Sequence, residues 1–61
     1  MTEYRLVILD GNQEVYDYYS NKKEALAKAK ELADMDMEVS VEKITVDSVT
    51  GMEEVDCIAA Y

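Results

Sequence analysis

Histidine, proline, tryptophan and phenylalanine are all absent from this 61-residue chain, and cysteine occurs once. Without histidine there is no Ser-His or Cys-His pair, no ordinary neutral-pH general base and none of the commonest transition-metal ligand, so neither catalysis nor a cofactor is expected. Paired carboxylates such as Glu53 and Glu54 could serve as acid and base only in a deep cleft, and so short a chain offers little room for one. A single cysteine, Cys57, cannot form an internal disulfide, which points to a reducing compartment, the cytoplasm. As a nucleophile Cys57 would need a cation or a helix amino terminus beside it, but its neighbour is Asp56; the expectation is a buried structural thiol. The lack of proline argues against a linker or low-complexity tail. Leu6 to Leu9 is far too short an apolar run for a signal core or a membrane span, so neither export nor a membrane partner is expected. Bases are also scarce, 6 against 14 acids for a net charge of −8. That excludes direct nucleic-acid binding, which needs phosphate neutralisation.

What is present is a globular composition, 49% hydrophobic, over a length that makes one domain of residues 1–61. Such a domain buries only about 60% of its unfolded surface and has a stability of roughly 3–9 kcal/mol. Residues 3 to 9 read as a strand, Asp10-Gly11-Asn12 as a hairpin turn, and Val15 to Tyr19 as the returning strand. Turn length fixes the register and hence the face of Tyr16 and Tyr18; two- and three-residue loops give opposite answers. Asn21 is placed to cap a helix over Lys22 to about Asp34, with Glu24 at the capping-box position. Ala25, Leu26, Ala29, Leu32 and Ala33 fall in one stripe about 120° wide, the width of a helix packed on a core. Glu24 with Lys28 and Lys30 with Asp34 are spaced as exposed i,i+4 pairs. After Met37 the pattern alternates: Val39 and Val41 share one parity, Ile44 and Val46 the other, which suggests a bulge near Glu42-Lys43. Asp47 to Met52 forms a second turn. Glu54 to Tyr61 alternates Val55, Cys57, Ala59 and Tyr61 against Asp56, Ile58 and Ala60.

The fold class is α+β, ββαββ, a four-stranded sheet with one helix on one face. The first and last strands are the most apolar, whereas the second and third carry Asp17, Glu42 and Lys43, charges of the kind that blunt sheet edges. This favours the order 2-1-4-3 with parallel terminal strands. That order, with a Met1-Thr2 start and a Tyr4 and Leu6 strand, resembles in architecture the immunoglobulin-binding domain of streptococcal protein G. The resemblance covers element order alone and carries over no binding residues.

Charge is segregated along the chain. Residues 22 to 30 hold four lysines and one glutamate, net +3, which leaves −11 on the remainder, where Arg5 and Lys43 are the bases. The helix opposes its own dipole, with lysines in the first turn and Glu31, Asp34 and Asp36 at its end. Asp34, Asp36 and Glu38 have an alternate-oxygen spacing that calcium uses, but no glycine or closing glutamate follows, and chance clustering in an acidic chain accounts for it. A compact domain of this length has a diameter of about 27 Å, over which duplex DNA carries on the order of 16 phosphates. An excess of −11 is of that scale.

Two functions follow. In the first, the open sheet face and its loops occupy a basic groove on a nucleic-acid-handling protein, as an inhibitor or DNA mimic of phage or mobile-element type, steered by charge. Its carboxylates would be Glu14, Asp17, Glu42, Asp47, Glu53, Glu54 and Asp56, with Tyr16, Tyr18 and Tyr19 as anchors. In the second, the same face is a homodimer interface of a structural or accessory module, and the acidity serves solubility. A lysine-based site on the helix, through Lys23 and Lys30, is a weaker third reading beside Glu24 and Glu31.

Overall fold

The computed structural model describes residues 2–61. Strand β1 (Thr2–Asp10) and β2 (Gln13–Tyr19) form a hairpin, α1 (Lys22–Ala33) crosses the sheet, and β3 (Glu38–Val46) and β4 (Glu53–Ala60) form a second hairpin. The class is α+β, as expected. Asp10 pairs with Gln13, so the loop is the two residues Gly11 and Asn12. Gly11, at φ 64°, occupies the first position, where a type II′ turn needs a positive φ. Asp47 builds the other turn: its Oδ1 accepts from the Val49 and Thr50 amides at 2.7 and 3.3 Å, and its carbonyl accepts from Gly51.

The sheet order is β2-β1-β3-β4, antiparallel throughout. This corrects the expected 2-1-4-3: the terminal strands are not neighbours, and the likeness to the protein G domain stops at element order. The charges on β3 did not mark an edge, because its central position is compensated across the strands. Glu42 stands opposite Arg5 and accepts two hydrogen bonds from it, and Lys43 stands opposite Asp56. The strand blunted by charge is β4, with Glu53, Glu54 and Asp56.

Pairing settles the faces. Leu6 and Ile8 of β1 align with Val41 and Val39 of β3, and all four are buried. The helix lies on this side. Ala25 and Ala29 are fully buried at its centre, with Leu26 and Leu32 packed beside them. The stripe is the one the spacing indicates, and its two alanines let the helix axis approach the sheet closely. Each large buried side chain contributes about 1.5–3 kcal/mol. Asn21 caps the helix as expected, its Oδ1 accepting from Lys23 and Glu24 amides at 2.8 and 3.3 Å. Among the described residues the ion pair formed on the helix is Lys28 with Glu31 at 3.7 Å, spaced i,i+3 and not the i,i+4 expected of Glu24 with Lys28 and Lys30 with Asp34.

The helix ends in a left-handed turn. Met37 N–H donates to the Leu32 carbonyl and Asp36 N–H to that of Ala33, the two bonds of a Schellman motif, with Asp36 at φ 63° in the place usually given to glycine. Leu32 and Met37 both pack against the core, supplying the apolar contact that accompanies the motif.

The parity switch in β3 has a different cause from the one expected. Its register with β1 is unbroken from Glu38 to Thr45, so Val39 and Val41 face the helix while Ile44 and Val46 face the other side. The irregularity is on β4: Val41 pairs with Ala59 and Glu42 with Cys57, leaving Ile58 as the extra residue. Ile58 and Ala59 therefore both reach the core, and β4 does not alternate as its sequence suggests. One helix over three strands makes a slab of 40 × 25 × 14 Å, longer than the 27 Å globule expected from length.

Candidate functional site

The face of the sheet opposite the helix is uncovered. In register it carries Glu14, Tyr16 and Tyr18 from β2; Glu3, Arg5, Val7 and Leu9 from β1; Glu38, Ser40, Glu42, Ile44 and Val46 from β3; and Glu53, Val55 and Cys57 from β4. Tyr16 and Tyr18, opposite Val7 and Arg5, thus lie on the open face. They are about half exposed.

At the centre stands Arg5. Its Nε and Nη2 donate to Glu42 Oε1 at 2.9 and 2.7 Å, and its guanidinium lies 5.4 Å from the Tyr16 ring centroid. The Glu42 hydrogen bond, opposed by partial burial, raises the Arg5 pKa above its ordinary value, so this cation remains charged. Tyr16 Oη in turn donates to Glu14 at 2.7 Å. That bond, then the nearby Glu14 charge, holds the Tyr16 phenol above its usual pKa. The chain Glu14, Tyr16, Arg5, Glu42 crosses three strands and ties their side chains together on the open face.

Two shallow grooves flank this chain. One is lined by Val7, Leu9, Glu14, Glu38 and Ser40, with Val39 and Tyr61 at its end; the other by Glu3, Arg5, Tyr18, Ile44, Val46 and Glu53. Each combines aliphatic walls with two glutamates. Such a groove suits a lysine or arginine, whose apolar stem lies along the wall while its charged head meets the carboxylates.

The expected site residues divide. Glu14, Tyr16, Tyr18, Glu42 and Glu53 share the open face. Asp17 and Tyr19 lie on the helix side, paired with Leu6 and Tyr4, and Tyr19 packs against the core. Burial, then Asp17, raises the Tyr19 pKa. Glu54 and Asp56 are on the helix side of β4, paired with Thr45 and Lys43, and Asp47 is committed to its turn. Composition did not single out Arg5, Val7, Ile44 or Val55 for the face; the unbroken β1–β3 register was the missing signal.

Cys57 is exposed, not buried, because the extra residue at Ile58 turns it to the open face opposite Glu42. Asp36 owes its position to the left-handed turn, and among the described residues no cluster of acidic or cysteine side chains is grouped to hold a metal ion. No helix among them is long and apolar enough to cross a membrane. Compared with protein-family models, with curated proteins and with solved structures, the chain matches none of them.

Proposed function

We propose that this chain is a small non-enzymatic binding protein whose open sheet face docks on a basic protein, as an inhibitor or DNA mimic of the phage or mobile-element kind acting in the cytoplasm on a nucleic-acid-handling partner. The observation that carries this reading is the division of charge by the sheet. All five lysines sit on the helix or on its side of the sheet, whereas the open face has five glutamates and, among the described residues, one cation, Arg5, already paired with Glu42. Aliphatic side chains and the Arg5–Glu42 pair occupy its middle, and the β2 tyrosines and the other four glutamates its margin, an apolar centre with a polar rim as at a protein interface. The two grooves accept basic side chains, and the rim steers them.

The aliphatic side chains of the face favour the homodimer reading, but charge opposes it. Two such faces in contact would bring ten carboxylates together against two guanidiniums, and like charges face to face disfavour association. A basic partner relieves the same repulsion.

The test is capture of partners from a cytoplasmic extract at low and high salt by the unaltered chain, by Glu14→Lys/Glu53→Lys and by Lys23→Ala/Lys30→Ala. Low-salt capture of basic nucleic-acid-handling proteins, lost in the first variant and kept in the second, is expected. Capture that survives charge reversal, or a stable dimer without a charge-dependent partner, refutes it.

A further inference from the structure

The outer edge of β4 is a second surface with its own chemistry. Strand β4 pairs on one side only, and the helix lies over β1, β2 and β3. Five consecutive residues, Glu53 to Cys57, are exposed, so this stretch is bare on both faces as well as along one edge. The Asp47 amide donates to the Met52 carbonyl at 2.9 Å at the base of the hairpin. Alternation of an antiparallel ladder from that bond turns the backbone N–H and C=O of Glu53, Val55 and Cys57 outward, away from β3. The β4 carboxylates blunt this edge against apolar or acidic strands, which leaves it a template for one more strand of basic character.

The side chains specify what that strand would be. Glu54 and Asp56 project to the helix side, Val55 and Cys57 to the open face. A strand added here places alternate residues beside the two carboxylates and the others beside the valine and the thiol. Next to Glu54 lies a hollow of about 340 Å³ walled by Thr45, Asp47, Thr50 and Met52, with room for a long basic side chain between two carboxylates. Lys43 stands opposite Asp56 and offsets part of its charge, so Glu54 is the stronger of the two acidic positions. The other edge, β2, has Glu14 and Asp17 on different faces and no such alternation.

We propose that the β4 edge takes up an extended segment in which lysine or arginine alternates with apolar residues, as a fifth strand of the sheet. The inference rests on the reading that the partner is basic and names the part of it recognised. The pattern is the same in either chain direction, so parallel and antiparallel addition both satisfy it.

The probe is a capped seven-residue peptide alternating lysine with valine, beside a peptide of the same composition with its lysines grouped. Amide hydrogen exchange of the unaltered chain is read residue by residue. The alternating peptide is expected to slow exchange at Val55 and Cys57, and the grouped one not to. Val55→Pro removes an outward N–H where proline is tolerated; it is expected to weaken the alternating peptide about tenfold, equivalent to about 1.4 kcal/mol. Equal binding of both peptides, or protection along β2 instead, overturns the inference, as does protection that grows with protein concentration alone, which would assign the edge to a second copy. None of these results touches the open-face reading, which the Glu14 and Glu53 reversal tests separately.

Discussion

Replacing Asp36 by glycine is expected to stabilise the fold, and the size of the gain separates two causes. Asp36 lies at φ 63° where two backbone bonds close the end of α1. A side chain in the left-handed region costs about 1–2 kcal/mol, with aspartate at the lower end because its short polar group can bond locally. Glycine removes that cost but adds freedom to the unfolded chain, which returns about 0.5–1 kcal/mol. A carboxylate just past a helix C-terminus costs a further ~0.3 kcal/mol through the dipole. The net for Asp36→Gly is therefore a gain of about 0.3–0.8 kcal/mol, read as a rise in Tm of about 4–8 °C per kcal/mol for so small a domain. Asp36→Ala removes the charge but keeps the strained backbone and is expected to give no gain; Asp36→Asn should fall between. Urea unfolding followed by circular dichroism of the three variants decides. If alanine stabilised as much as glycine, charge and not backbone would be the cause; if glycine destabilised, the account of the helix end would be wrong.

Three further outcomes follow from the packing and the site. Ala29, fully buried beneath the helix, leaves no space for growth, so Ala29→Leu should cost about 1–3 kcal/mol, seen as a lower urea midpoint; an unchanged midpoint would mean the helix stands off the sheet. Glu14→Gln should bring the Tyr16 phenol back toward its ordinary pKa, followed by tyrosinate absorbance. Because the raised Tyr16 and Tyr19 values favour the neutral phenol in the fold, their contribution is complete below the ordinary value of 10.0 and is lost as pH rises through the folded values; stability that increased there would contradict the sign. The exposed Cys57 thiol should react with a chromogenic disulfide reagent in the folded chain at nearly its unfolded rate, and protection from the reagent would place it in the core after all.

Local chemistry made much of this fold legible. Asn21, the alanine stripe of α1 and the Asp47 turn were readable because each depends on residues within a few positions. Strand order was not, since it depends on pairing between distant residues. Glu42 looked like an edge charge until Arg5, 37 residues away in sequence, proved to be its partner. The switch of parity in β3 was visible, but its meaning was not: both faces of β3 are apolar in different halves, and the bulge belongs to β4. That displaced residue put Cys57 and Ala59 on opposite faces, whereas Glu53 and Glu54 are divided by ordinary strand alternation. For the candidate site, tyrosine was legible as interface material by type, but Tyr16 and Tyr18, like Tyr19, Asp17, Glu54 and Asp56, could be assigned to a face only once turn length and register were known.

The most direct test of the central claim is the affinity for the captured partner between about 0.05 and 0.2 M salt, with and without the Glu14→Lys/Glu53→Lys change. The account predicts affinity that falls steeply with salt in the unaltered chain and is lost in the reversed one, while Lys23→Ala/Lys30→Ala leaves it intact. Binding that is indifferent to salt and to charge reversal on the open face, or that is abolished by the helix lysine changes, would contradict it.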